Sequence, residues 1–248
     1  MWLKDKGMSE LQNQVVVVTG ASSGIGRAIV LGLAEQGANL CLIGRNMKSL
    51  TAIADVIQHK VSMIRSYQID LSVDNDIRRL KASLEQDFES IDILIHCAGV
   101  YAMGEMEQAP VENLDWQYKI NVRAPYLLTQ LLLPMLKERR GQIVFINSSA
   151  GINARAGVSQ YAAMKHALRA LADSLRAEVN VYGVRVLSVY PGRTATPMQA
   201  AVYEMEGKTY QPELLMQPED VALIVINALS LPRTAEITDI NIRPLNKI

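Results

Sequence analysis

Short apolar runs alternate along the chain with longer segments of helical periodicity. The runs predict strands at Val15–Thr19, Asn39–Gly44, Val61–Gln68, Ile91–His96, Gln142–Asn147, Val184–Val189 and Ile237–Ile242. Most are apolar at every position, which is typical of parallel strands covered by helices on both faces. The segments between them predict helices at Gly24–Gln36, Met47–Gln58, Val73–Phe88, Val111–Leu136, Gln160–Tyr182 and Pro218–Leu229. This order predicts an α/β fold with a doubly wound, seven-stranded, mainly parallel sheet.

The pattern predicts one domain over residues 13–248, since no repeat, low-complexity tract or Pro/Gly-rich linker divides the 248 residues. Residues 1–12 precede the first strand as an N-terminal extension that we expect to be partly disordered. Residues 193–217 follow the sixth strand and mix methionine and tyrosine with polar residues. Because ligands bind beyond the carboxyl ends of such strands, we interpret 193–217 as a substrate lid, with a plain surface insertion as the alternative.

Charge and composition exclude several classes of partner. The chain has 25 basic and 25 acidic side chains, so it offers no net field to attract nucleic acid. Its longest apolar run, the six residues Val221–Ile226, is far below the ~20 needed to cross a membrane. Cys41 and Cys97 lie in strand-like runs, and no secretory signal is evident, which favours a cytoplasmic protein. The histidines show no metal-ligand spacing, so we predict no metal.

The first strand runs into a glycine-rich turn that opens a helix. The turn contains Gly20, Ser22, Ser23, Gly24, Ile25 and Gly26 in the spacing GxxxGxG. Such a turn lets the backbone approach a pyrophosphate at a helix N-terminus, which favours a Rossmann-like dinucleotide site over a plain turn.

The end of the second strand suggests which dinucleotide is bound. It carries Gly44 and Arg45 in place of the acid that would bind the ribose of NAD. A guanidinium can bind a 2′-phosphate, and Ser22 and Ser23 can add hydroxyl contacts. The sequence therefore predicts that NADP(H) is preferred and NAD(H) is possible, with a solvated surface arginine as the alternative for Arg45.

Candidate catalytic groups follow the fifth strand. Tyr161 and Lys165 are four residues apart and share a helix face. An ammonium ~4 Å from the phenol would lower its pKa by ~3 units, to a value near 7 that suits proton transfer. Ser148 lies thirteen residues upstream, where its hydroxyl can hold a carbonyl oxygen, and Ser149 is the alternative one register away. Asn121 is expected inside a helix, where asparagine is unfavourable without a local role.

In this order and spacing, the motifs resemble the short-chain dehydrogenase/reductase family. They are TGxxxGIG at Thr19–Gly26, Asp70, Ala98-Gly99, Asn121, Ser148, Tyr161, Lys165, and Pro191-Gly192 followed by Thr196. The resemblance implies that Tyr161 is the general acid/base, Ser148 orients the carbonyl, and Lys165 lowers the tyrosine pKa and binds the nicotinamide ribose. It also implies that Asn121 supports a proton relay and that Asp70 contacts the adenine. Thr196 and the Pro191-Gly192 backbone would meet the carboxamide.

The sequence departs from the family at two positions. His96 and Cys97 stand where the family usually has two asparagines before Ala98-Gly99, which puts side-chain contacts there in doubt. We expect a buried, hydrogen-bonded histidine and a buried, unreactive thiol.

The predicted function is an NADP-preferring oxidoreductase that interconverts a carbonyl and a secondary alcohol of a small molecule. The alternative is a catalytically weak dinucleotide-binding sensor or regulatory protein on the same fold. The segment Tyr126–Leu136 is apolar nearly all round, so we expect a homodimer or homotetramer. The C-terminal segment Glu236–Pro244 resembles members that oxidise small 3-hydroxy acids more than acyl-carrier reductases.

Overall fold

A single parallel sheet forms the centre of the protein. The computed structural model describes residues 9–245. The strands are β1 (Val15–Thr19), β2 (Asn39–Gly44), β3 (Ile64–Gln68), β4 (Ile93–His96), β5 (Gln142–Ile146), β6 (Arg185–Pro191) and β7 (Asp239–Ile242). They pair in the order β3-β2-β1-β4-β5-β6-β7, and every pair is parallel. The prediction of a single-domain, doubly wound α/β fold is confirmed.

Helices cover both faces of the sheet. They are α1 (Gly24–Glu35), α2 (Met47–Ile57), α3 (Asp74–Asp87), α4 (Val111–Tyr118), α5 (Ala124–Glu138), α6 (Ser159–Val179), α7 (Pro197–Met205) and α8 (Pro218–Leu229). Strand β1 shows how the two cores divide: Val16 and Val18 pack with α1, α2 and α8, whereas Val17 packs with α3, α5 and α6. Because successive side chains point to opposite faces, strands that are apolar throughout fit this buried position.

One helix that was predicted to be continuous is interrupted in the structure. The expected helix Val111–Leu136 is divided into α4 and α5 by a π-helical turn at Lys119–Arg123. Pro125 lies two residues after this turn, at the second position of α5. Since proline has no N–H to donate and its ring crowds the carbonyl four residues earlier, here that of Asn121, regular α-helical bonding cannot pass through this point.

The two irregular segments also have defined structure where they are described. Residues 1–8 of the predicted extension lie outside the described residues, but Leu11 is fully buried against the core beside α1, so the packed chain begins before residue 13. The segment 193–217 contains α7, and its ends meet where Ala195 N donates to Met216 O at 2.8 Å. None of the helices within residues 9–245 is both long and apolar enough to span a membrane.

Candidate active site

The glycine turn between β1 and α1 packs too closely for any side chain at two positions. Gly20 has φ +67, and a Cβ there would lie 2.8 Å from the backbone of Ala98. A Cβ on Gly26 would lie 2.3 Å from the carbonyl oxygen of Gly20. The N-cap residue of α1, Ser23, makes no side-chain capping bond, which leaves backbone N–H groups at this helix end free for an anion. A pyrophosphate fits both features.

The turn forms one end of a cleft of about 310 Å³ at the carboxyl ends of the strands. Nearly all the predicted site residues line this cleft: Gly20, Ser22, Ser23, Gly24, Ile25, Gly26, Arg45, Asp70, Ala98, Gly99, Ser148, Tyr161, Lys165, Pro191, Gly192 and Thr196. The structure therefore brings together residues that are up to 176 positions apart in the chain, from Gly20 to Thr196. Asn121 is the exception and lies behind the wall of the cleft.

The nucleotide end of the cleft combines one fixed acid with one exposed cation. The Asp70 carboxylate accepts hydrogen bonds from the Ser72 hydroxyl at 2.7 Å and the Ser72 N–H at 2.9 Å, and these bonds hold its pKa below the usual value. Arg45 is exposed and lines the cleft. A Cβ on Gly44 would lie 3.2 Å from Leu50 Cδ2 and 3.4 Å from Ser22 Oγ. A side chain at position 44 would therefore require Leu50 to shift slightly.

At the other end of the cleft, Ser148, Tyr161 and Lys165 converge from two elements. Ser148 follows β5, and its hydroxyl accepts a bond from Ala150 N at 3.1 Å. Tyr161 and Lys165 lie in the first turns of α6, with Lys165 Nζ 5.7 Å from the centre of the tyrosine ring. Lys165 is buried and donates from Nζ to Ile146 O at 3.1 Å. These side chains place a hydroxyl, a phenol and an ammonium around one space.

The acid–base properties differ from the sequence prediction for Tyr161. Burial raises the pKa of Tyr161 to about 12, and the neighbouring Ser148 hydroxyl only partly opposes this. Burial also lowers the pKa of Lys165 to about 8. A phenol pKa near 7 is therefore wrong for the protein without a ligand, because the cost of desolvating the charged forms exceeds the attraction across this separation.

Asn121 supports the cleft from the π-helical turn. Its Nδ2 donates to Val100 O and its Oδ1 accepts from Val100 N, both at 2.9 Å. A Cβ on Gly99 would lie 3.3 Å from Asn121 Oδ1 and 4.0 Å from Lys165 Nζ. Asn121 thus fixes the chain after β4 directly beside the lysine, and its relay role stays a prediction.

The two departures from the family pattern occupy the end of β4. His96 is buried, and its ring stacks on that of Phe145 with the two centres 4.9 Å apart. Its Nε2 forms a hydrogen bond with Thr129 Oγ1 at 2.8 Å. Burial lowers the pKa of His96 to about 3, so the ring is neutral. Cys97 lines the cleft, and burial raises the pKa of its thiol to about 12. The expectation of a buried, hydrogen-bonded histidine is confirmed, whereas Cys97 is only partly buried and its unreactive thiol stays a prediction.

Among the cleft-lining residues that the sequence did not single out are Tyr101 and Arg155, together with Arg193 and Glu206 of the predicted lid. The rings of Tyr101 and Tyr161 pack edge to face, with their centres 4.8 Å apart. Arg193 donates to both carboxylate oxygens of Glu206, at 2.7 and 2.8 Å. Arg155 could have been found from the sequence, because it lies in the segment between Ser148 and Tyr161. A loop that joins two residues of one site must run beside that site.

Comparison with known proteins defines the class. A family model described as short chain dehydrogenase matches residues 14–207, and the chain belongs to this family. An uncharacterized oxidoreductase of Staphylococcus epidermidis is 31% identical over 239 residues, covering 96% of this chain and all of the relative. The protein is thus an NAD(P)-dependent short-chain dehydrogenase/reductase, an oxidoreductase that uses a nicotinamide dinucleotide.

Two solved structures are similar over nearly the whole chain. An alcohol dehydrogenase from the archaeon Thermococcus sibiricus, complexed with 5-hydroxy-NADP, has a TM-score of 0.86 and 25% identity and covers 95% of this chain and 98% of its own. A serine dehydrogenase in its closed form, complexed with NADP+, has a TM-score of 0.84 and 26% identity and covers 95% and 96%. Both of these structures contain NADP or a derivative of it.

Proposed function

We propose that the protein interconverts a carbonyl and a secondary alcohol of a small molecule, with NADP(H) as the preferred cofactor. The observation that carries the proposal is the convergence of Ser148, Tyr161 and Lys165 in the cleft that begins at the glycine turn. When bound, the cofactor supplies or accepts the hydride at the carbonyl carbon.

Tyr161 acts as the general acid/base. With a pKa of about 12 the phenol carries its proton at neutral pH, so it can donate that proton to the carbonyl oxygen during reduction. Ser148 donates a hydrogen bond to the same oxygen and stabilises the charge that develops there. Lys165 stabilises the resulting phenolate and, by the family resemblance, binds the nicotinamide ribose.

The cofactor preference rests on Arg45 and Gly44. An exposed guanidinium at the end of β2 can form two bonds to a 2′-phosphate, and position 44 holds glycine in place of the acid that NAD requires. The glycine turn holds the pyrophosphate, Asp70 contacts the adenine, and Ala98 and Gly99 form the wall beside it. Pro191, Gly192 and Thr196 meet the carboxamide; Thr196 lies over the turn, since a Cβ on Gly24 would be 3.0 Å from its Cγ2.

The lid and the oligomer complete the proposal. We assign the segment 193–217, with α7, as the lid over the substrate.

Most leucines of α5 are buried within the domain, whereas exposed apolar side chains cluster on α4 and the start of α5: Val111, Trp116, Tyr118 and Tyr126. These side chains favour a homodimer or homotetramer in the cytoplasm.

The substitution Tyr161→Phe tests the chemistry, because it removes only the hydroxyl. We expect kcat for reduction of an accepted ketone with NADPH to fall by about 10³-fold, with NADPH affinity changed by less than about threefold. Ketone reduction is followed by NADPH absorbance and cofactor affinity by its fluorescence. Turnover by Tyr161→Phe at the wild-type rate would refute the mechanism, and no turnover by either protein across a ketone panel would favour the sensor alternative.

A further inference from the structure

The substrate end of the cleft has an unbalanced positive charge. Apart from Lys165, three charged side chains line this end: Arg155, Arg193 and Glu206. Arg193 is bound by both carboxylate oxygens of Glu206, and Lys208 pairs with the same carboxylate at 2.8 Å. None of the ion pairs within residues 9–245 includes Arg155. Arg155 is therefore the guanidinium here that has no carboxylate partner from the described chain.

The loop that carries Arg155 is fixed beside the catalytic groups. It joins the short helix after Ser148 to the start of α6, where Tyr161 lies. Gly104 N donates to Gly157 O at 2.8 Å, which ties the loop to the segment that follows Tyr101. The positive charge of Arg155 opposes the effects of burial and of Glu206, which raise the pKa of Tyr101. Arg155 is exposed to solvent and lies beside the wall of the cleft that contacts Tyr161.

We propose that Arg155 binds a carboxylate of the substrate, so that the enzyme acts on small oxo acids and hydroxy acids. This inference rests on the proposed carbonyl chemistry of the same cleft and adds the class of substrate. A guanidinium can bind a carboxylate through two parallel hydrogen bonds, and the apolar side chains of Met198 and Val202 line the cleft for the carbon chain. Arg155 then selects for an acid while Ser148 and Tyr161 act on the carbonyl.

The neighbouring charges argue against a cationic substrate. An amino alcohol would need a free carboxylate in the cleft. Glu206 already accepts bonds from Arg193 and Lys208, and Glu105, whose Oε1 is 3.6 Å from where a Cβ of Gly157 would lie, does not line the cleft. Placing a second cation beside Arg155 would also add repulsion without a compensating partner. A substrate with a negative charge balances the site, whereas one with a positive charge does not.

Binding without turnover tests the inference directly. Protein saturated with NADP+ cannot reduce a ketone, so calorimetric titration at pH 7.5 measures affinity alone. The probes are 2-oxobutanoate, 3-oxobutanoate and 4-oxopentanoate, each beside its methyl ester. We expect at least one acid to bind about 10-fold or more tightly than its ester, and Arg155→Gln to remove this preference by weakening only the acid. Arg155→Lys should restore part of it.

Arg78→Gln is the matched control, since Arg78 is an exposed arginine on α3 that does not line the cleft. It should leave every affinity unchanged. The inference is overturned if no acid binds better than its ester, if Arg155→Gln weakens acid and ester alike, or if dihydroxyacetone phosphate binds more tightly than every acid. The carbonyl chemistry is tested separately by measuring reduction of the ketone group of the esters by NADPH, with the wild type and with Tyr161→Phe. If the protein binds acids preferentially but reduces none of these ketones, the anion site is supported and the proposed reaction is refuted.

Discussion

The two ends of the cleft are built from different parts of the chain. At the nucleotide end, backbone atoms approach one another so closely that Gly20 and Gly26 leave no space for a Cβ. At the substrate end, long side chains such as Arg155, Met198 and Glu206 form the surface. A substitution can change such side chains without moving the backbone. We therefore expect the cofactor to be held mainly by the main chain and the substrate to be distinguished by side chains.

The largest expected effect comes from adding one methyl group at the nucleotide end. In Gly26→Ala the new Cβ would lie 2.3 Å from Gly20 O, a backbone atom that cannot yield without opening the turn. We expect the dissociation constant for NADPH to rise by about 100-fold or more, as measured by fluorescence titration, because the turn can no longer approach the pyrophosphate.

Gly207→Ala, at the end of the lid helix, is the control for that comparison. Gly207 also has a positive φ, +64, but nothing lies within 4 Å of its added Cβ. We expect a loss of about 1 kcal/mol in the free energy of unfolding and an NADPH affinity within about twofold of wild type. If Gly26→Ala binds NADPH as well as Gly207→Ala does, the two ends do not differ in this way.

The same difference explains what could be predicted from the sequence. The glycine turn was evident because its geometry depends on residue type at Gly20, Gly24 and Gly26, and the buried strands because every position is apolar. The break between α4 and α5 was missed because it depends on Pro125 together with the bonds from Asn121 to the chain after β4.

The substrate end was less predictable for a physical reason. Whether Arg155 and Arg193 are free or paired depends on which acid the fold brings to them, and Glu206 is 13 positions from Arg193 in sequence. The pKa of Tyr161 was likewise misjudged, since spacing of four residues indicates proximity to Lys165 but not the degree of burial. The distance between two side chains and the burial of each can be known only from the tertiary structure.

A second prediction concerns Lys165, where the two ends meet. Burial lowers the pKa of Lys165 to about 8, so between about pH 8 and its ordinary pKa the unfolded chain binds more protons and stability rises with pH. Below that range the buried charge costs about 3 kcal/mol. Lys165→Met removes this cost but also the bond to Ile146 O, worth about 1 kcal/mol, so the variant should be about 2 kcal/mol more stable at pH 7.

Urea denaturation of cofactor-free protein at pH 7 and pH 10 checks the prediction for Lys165. Most of the advantage of Lys165→Met should vanish at pH 10, because the wild-type lysine is then neutral. Lys119→Met, which removes an exposed lysine, should show no such pH dependence. A variant that is less stable than wild type at pH 7 would mean that the lysine contributes to the fold and not only to the cofactor and proton chemistry.

The smallest effect is expected from Arg45→Asp, which changes one exposed side chain at the nucleotide end. Loss of the guanidinium and repulsion by the new carboxylate should raise KM for NADPH by about 30-fold, while KM for NADH changes by less than about threefold. Stability should stay within about 0.5 kcal/mol of wild type, as for other surface substitutions. At saturating NADPH, KM for the carbonyl substrate should be unchanged, since Arg45 and Ser148 lie at opposite ends of the cleft. Equal losses with NADPH and NADH would remove Arg45 from the cofactor assignment, and an altered carbonyl KM would show that the two ends are not independent.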